Sequence, residues 1–166
     1  MENPPTSQTW QEWIGQHVGR FLLYARQQTR CEADAEDVLQ ESLIESWRRC
    51  GGEEPPSAAI VFATIRRRAI DCARRSDSRE RRERAHSEAD PQWFASSPDD
   101  AETDFELERA VKDLPKIYQE VVTLKIWGGL TFQEIADSIG VPLNTAASRY
   151  RYGLDRLREA FKELPR

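Results

Sequence analysis

Asn144, Thr145, Ser148, Arg149 and Arg151 crowd the start of a helical segment near the end of this 166-residue chain. Short amide and hydroxyl side chains can reach base edges in the major groove, and guanidinium groups pair with guanine or hold phosphate. Such residues work from the N-terminal end of the second helix of a helix-turn-helix, and the preceding residues supply that frame. Thr131 followed by Glu134 is a capping box that starts a helix. Ile135, Ala136 and Ile139 give it an apolar stripe, and Gly140 can adopt the left-handed conformation that ends it. Pro142 then suits the first turn of the next helix, where it sacrifices no hydrogen bond. A plain helical hairpin with a solvated face would carry the same residues and is the competing reading.

Two other charged sets stand in the first half. A helix expected to start at Asp34, with Asp37 three residues on, buries Ala35, Val38, Leu39, Leu43 and Trp47. Its opposite face carries Glu36, Gln40, Glu41, Glu45 and Arg48, which reads as either a solvated or a docking surface. The next helix, expected over 57–75, places Ala58, Val61, Phe62, Ile65, Ala69, Cys72 and Ala73 on its inner side. Arg66, Arg67, Arg68, Arg74 and Arg75 lie outside, with Asp71 spaced to pair with Arg67 or Arg75. Arginines beside the Gly/Pro loop Cys50–Pro56 suit contact with a nucleic-acid backbone, although a solvated face is an even alternative.

Catalysis does not fit these sets. A hydrolase or metal protein built on Asp34, Glu36, Asp37 and Glu41 lacks a nucleophile–base pair, and those carboxylates share one helix. Cys31, Cys50 and Cys72 are odd in number and far apart, which speaks for a reducing compartment rather than a disulfide framework. With His17 and His86 the only histidines, no metal site and no cofactor are expected. His17 itself falls on an apolar stripe as a core or boundary residue. No apolar run is long enough to span a membrane, and Met1–Pro5 does not read as a signal peptide.

The elements that hold these residues are all helical by pattern. Trp10, Trp13, Ile14, His17, Val18, Phe21, Leu22 and Ala25 recur at intervals of three and four as one buried stripe. Thr103 with Glu106 would cap a helix that buries Leu107, Ala110, Val111 and Leu114. Pro115 opens another with Ile117, Val121 and Leu124 inward, ended by Gly128-Gly129. The last helix should pack through Tyr150, Leu154, Leu157 and Phe161. Between the halves, residues 76–104 hold 4 Lys/Arg against 9 Asp/Glu, a net of −5, and two prolines. That reads as an acidic linker, with the charged run from Ser76 able to prolong the preceding helix and Trp93-Phe94 more simply incidental than docked. The expected fold is all-α: a three-helix domain over 1–75, a flexible acidic linker over 76–103, and a four-helix domain over 104–166 containing the helix-turn-helix. No further C-terminal domain and no partner-sized apolar face are expected, so the free chain should be a monomer.

Taken in order, these segments resemble the extracytoplasmic-function (ECF) group of the bacterial RNA polymerase sigma-70 family. Asp34-Ala35-Glu36-Asp37-Val38-Leu39-Gln40-Glu41-Ser42-Leu43-Ile44-Glu45-Ser46-Trp47 looks like the family's polymerase-binding helix. Arg68-Ala69-Ile70-Asp71-Cys72-Ala73-Arg74-Arg75 resembles its promoter-melting helix. Leu114-Pro115 through Arg149, with Thr131–Ala136 and the Ser148-Arg149 pair, resembles its last domain.

The resemblance implies a cytoplasmic sigma factor, not an enzyme, whose partners are core RNA polymerase, promoter DNA and an anti-sigma factor. Asp37, Gln40 and Glu41 would meet the polymerase. The loop 50–57 and Arg66, Arg67, Arg68, Arg74 and Arg75 would engage the minus-10 element, where a base flipped from the opening duplex costs a few kcal/mol and selects easily melted sequences. Asn144, Thr145, Ser148, Arg149 and Arg151 would read the minus-35 element, with residues 117–130 under the polymerase flap. The sequence departs from the family at Arg67, where Asn is frequent, at Ala147, where Lys is frequent, and at Ala146, where valine is usual and whose lost volume Tyr150 could fill. The alternative function is a stand-alone helix-turn-helix regulator. Residues 1–75 carry 10 Lys/Arg and 11 Asp/Glu, a net of −1, and residues 105–166 carry 10 and 9, a net of +1. Neither half is basic enough to draw DNA from a distance, so specific binding should depend on the polymerase.

Overall fold

The computed structural model describes residues 9–80, Trp93 and residues 101–163. Among them are seven α-helices and no strand: α1 (Trp10–Gln28), α2 (Glu32–Arg49), α3 (Ala58–Glu80), α4 (Ala101–Lys112), α5 (Lys116–Ile126), α6 (Phe132–Ile139) and α7 (Leu143–Lys162). The chain divides into two compact units, residues 1–89 and 90–166. The all-α architecture of three helices followed by four is the expected one. The span read as linker lies largely outside the described residues, but helix reaches into it from both sides, since α3 runs on to Glu80 and α4 begins at Ala101.

In the first unit each helix packs on the other two. Thr9 caps α1 in a full capping box with Glu12. The core gathers Trp13, Phe21, Tyr24, Ala25, Val38, Leu39, Val61, Phe62 and Ile65. Phe62 meets the rings of Phe21 and Tyr24 edge-on, at 4.9 and 5.5 Å between centroids. Two neighbours widen the buried arc of α1 beyond one stripe: Leu23 and Tyr24 are buried, whereas Val18, expected inside, lies exposed at the rim. His17 is the anticipated boundary residue, stacked between Trp13 and Phe21 with Nδ1 2.8 Å from the Trp13 carbonyl.

Asp34 does not cap α2. The helix starts two residues earlier at Glu32, after Cys31, which supplies no side-chain cap. Glu32 is tied to Arg26 of α1 through the guanidinium Nε (2.9 Å) and Nη2 (2.7 Å), and carboxylates in a first turn suit the helix dipole. The hydrogen bond from Arg26, against a smaller opposing effect of burial, holds the Glu32 carboxyl below its ordinary range. The inner face of α2 also includes Ser42 and Ser46, fully buried, with Ser46 3.4 Å from Thr64 Oγ1 of α3. The small Ser46 side chain leaves room for α3 to pack closely at that point.

In the second unit α7 packs against α4, α5 and α6. Its Gly153 is buried where a Cβ would stand 2.6 Å from Val122 of α5. Thr103 lies inside α4 rather than capping it. Ile117 and Phe161 are exposed, unlike the rest of their stripes. Both sit in end turns, where the apolar period continues after packing has stopped. Trp93 is buried, contrary to the reading of an incidental aromatic: its backbone N–H donates to Glu108 Oε1 at 2.9 Å, and Lys112 Nζ lies 5.0 Å above its ring. Its neighbour Phe94 is outside the described residues.

Candidate nucleic-acid and polymerase interfaces

The helix-turn-helix forms as the residues dictate. Thr131 Oγ1 accepts from the Glu134 N–H at 3.2 Å, and Glu134 Oε2 accepts from the Thr131 N–H at 2.8 Å. Ile135, Ala136 and Ile139 are buried, and Gly140 ends α6 at φ 72°. Pro142 is the residue before α7 rather than its first, with Leu143 opening the helix. Ala146, Gly153 and Leu157 fix the inner side of α7. Asn144, Ser148 and Arg151 therefore share the opposite side, at positions i, i+4 and i+7. Thr145 and Arg149 form a half-buried flank beside them.

Sequence reading missed Tyr152. It is 51% exposed, one turn beyond Ser148, with the Arg151 guanidinium 5.4 Å above its ring and the Tyr118 ring 6.3 Å away. The available signal was its spacing of four from Ser148. Tyr150, half-buried, packs edge-on against Phe132 at 5.4 Å and steadies α6 on α7. Lys125 Nζ covers the Phe132 ring at 4.5 Å.

In the first unit several candidate residues of α2 and α3 come together along one groove, while Gln40, Arg66 and Arg67 do not line it. Asp34, Asp37 and Glu41 line it from α2, and Arg68, Cys72, Arg74 and Arg75 from α3. Asp37, Gln40 and Glu41 are exposed, as are Arg67, Arg74 and Arg75, while Arg66 and Arg68 are half-buried. Residues assigned from sequence to two different partners thus share a surface.

Ion pairs bridge it. Arg68 donates from Nε to Glu45 Oε2 and from Nη1 to Glu41 Oε2, each at 2.7 Å. Arg67 donates to the other oxygen of Glu45, so its partner stands on α2 and is not the Asp71 that helical spacing offered. Burial pushes the Glu45 carboxyl up, but the hydrogen bonds from Arg67 and Arg68 outweigh it and hold the group below its ordinary range. Burial pushes the Arg68 guanidinium down, but Glu45 and then Glu41 together outweigh it and hold the group above its ordinary value. By sequence pattern Glu45 is only one member of an acidic face. Burial first, and the charge of Asp34 next, push the Cys72 thiol up, which keeps it protonated and a weak nucleophile.

The loop after α2 turns on Gly51 (φ 81°) and Gly52 (φ 77°), with the Gly52 N–H bonded to the Trp47 carbonyl at 3.2 Å. Among the described residues, no three His, Cys, Asp or Glu side chains converge as a metal ion requires. No helix among them is long and apolar enough to cross a membrane.

Residues 104–157 match the family described as Sigma-70, region 4. Over 134 residues the chain is 31% identical to the ECF RNA polymerase sigma factor SigK of Mycolicibacterium vanbaalenii, covering 75% of this chain and 67% of that protein. It is 28% identical over 137 residues to the ECF RNA polymerase sigma factor RpoE of Cereibacter sphaeroides, covering 76% and 72%. Among solved structures, the fold is similar to the sigma factor RpoE of Bartonella quintana, determined in complex with the anti-sigma factor NepR. That likeness has a TM-score of 0.69 at 18% identity and spans 94% of this chain and 98% of that one.

Proposed function

The chain belongs to the ECF RNA polymerase sigma factors, and on that premise we propose how its surfaces divide the work of starting transcription. A sigma factor binds core RNA polymerase and directs promoter recognition and opening. It is not an enzyme, because the polymerase core carries the chemistry. The stand-alone regulator is not favoured, since similarity to sigma factors covers about three quarters of the chain, well beyond the helix-turn-helix.

We assign Asp37, Gln40 and Glu41 of α2 to the polymerase. Arg66, Arg67, Arg68, Arg74 and Arg75 of α3, with the loop 50–57, are assigned to the minus-10 element. Asn144, Thr145, Ser148, Arg149 and Arg151 of α7 are assigned to the minus-35 element. Residues 1–75 and 104–166 are the working domains joined by the acidic span between them. The protein works in the cytoplasm as a monomer until it meets the polymerase, and an anti-sigma factor controls it.

The observation that carries this division is the α2–α3 groove. Its α2 side presents exposed Asp37 and Glu41, and its α3 side presents Arg68, Arg74 and Arg75. One small unit thereby offers an acidic face to a protein partner next to a basic helix for phosphate. Replacement of both Gln40 and Glu41 by lysine tests it, because both are exposed and their loss leaves the core intact. The doubly changed protein should keep its helicity and fail to co-purify with core polymerase. Retained binding would mean that this face is only solvated.

A further inference from the structure

Arg68, assigned above to DNA, is already engaged, and one of its partners is Glu41, assigned above to the polymerase. The two carboxylates that hold Arg68 are not equivalent. The Glu45 side chain is only 21% exposed and holds Arg68 through Nε, while its second oxygen takes Arg67. The Glu41 side chain is 54% exposed and holds only the Nη1 arm of Arg68. Glu45 is thus an anchor that orients the guanidinium, and Glu41 is a reachable second partner. An ion pair with one partner so open contributes little to stability, so it can be exchanged without disturbing the helices. The planar fork of arginine suits such an exchange, because one edge can stay bound while the other changes partner.

We propose that Glu41 and Arg68 form a charge-exchange switch that couples polymerase docking to DNA binding. In the free protein Glu41 occupies the outer arm of Arg68 and keeps a carboxylate where a DNA phosphate would approach. When a cationic surface of the polymerase core takes Glu41, that arm is released toward phosphate while Glu45 keeps it aimed. The switch rests on the assignment of Glu41 to the polymerase and of Arg68 to DNA. It adds that the two contacts are mutually dependent.

The test compares Glu41→Gln, Glu36→Gln, Arg68→Gln and Glu41→Gln/Arg68→Gln in the full chain. Each variant is measured twice: for affinity to a fluorescent single-stranded oligonucleotide of mixed sequence without polymerase, and for affinity to core polymerase without DNA. Glu36 is an exposed carboxylate of α2 whose removal changes net charge equally. Glu41→Gln should tighten oligonucleotide binding about two- to fivefold at low salt. Its salt dependence should steepen by about 0.7, the increment for one further phosphate contact on a single strand. The gain should vanish in the double variant. An equal gain from Glu36→Gln, or a gain that survives without Arg68, would show a general charge effect and overturn the switch. The polymerase measurement judges the underlying assignment separately. Glu41→Gln should weaken core binding, and an unchanged affinity would remove the docking contact, and with it the coupling, whatever the oligonucleotide shows.

Discussion

The backbone N–H of Trp93 donates to Oε1 of Glu108 at 2.9 Å, across fifteen residues of chain and with both residues buried. Lys112 completes the arrangement, 2.9 Å from the same carboxylate oxygen and above the indole. The aromatic of a span that composition marks as linker is therefore built into the C-terminal unit. Replacing Trp93 with alanine should destabilise that unit by about 3 kcal/mol, the lower end for a buried tryptophan. Glu108→Ala should cost about 1–3 kcal/mol, because it strands the Trp93 donor and the Lys112 charge. Urea unfolding of the full chain measures both, and an unchanged midpoint in either variant would mean that the contact is dispensable.

The Glu45 anchor should show itself in pH dependence. Its folded pKa lies below the ordinary value of 4.5, so its contribution is fully present above that pH and is lost as the pH falls through the folded value. Arg67 is more than half exposed, which screens the pair. Glu45→Gln should therefore cost only about 1 kcal/mol near neutrality. Wild type and variant should converge in stability as the pH falls through the folded value. A difference that persists in acid would point to packing rather than charge.

Glycines of two helices should respond with opposite signs. Gly19 of α1 is exposed, and a Cβ there meets nothing within 4 Å. Gly19→Ala should stabilise by about 0.5–1 kcal/mol through helix propensity alone. Gly153→Ala gains the same propensity but drives a methyl to 2.6 Å from Val122, where overpacking costs about 1–3 kcal/mol. Its melting temperature should fall, and a rise would show that α5 and α7 part easily.

Free protein should bind promoter duplex poorly and gain specificity only with core polymerase. Both halves are near neutral overall, and Arg67 and Arg68 already carry carboxylate partners. An electrophoretic shift at nanomolar concentration in physiological salt, without polymerase, would contradict this.

Arg151 should read a base rather than hold phosphate. It is exposed on the face shared with Asn144 and Ser148, and its guanidinium is braced over the Tyr152 ring. Arg151→Ala should cost about 1–3 kcal/mol and relax preference at one base position. A promoter-library transcription assay decides: an unchanged logo with uniformly lower output would reassign Arg151 to phosphate.

Local chemistry determined much of this protein before any packing was considered. The Thr131/Glu134 box, the Gly140 stop and the Gly51-Gly52 loop act within a few residues, so their types alone set the backbone. Amphipathic period placed the seven helices, and the family resemblance suggested their roles. What the sequence left open depended on how many neighbours each helix has and where they stop. Two partners on α1 buried Tyr24 and exposed Val18, and the ends of packing exposed Ile117 and Phe161. Whether Trp93 docked rested on a carboxylate fifteen residues away. Above all, period alone sends Glu45 and Arg67 outward from separate helices. Only the packing of α2 on α3, where Ser46 meets Thr64, turned those charges toward each other, because ion pairs form between neighbours in space and their spacing in sequence does not specify them.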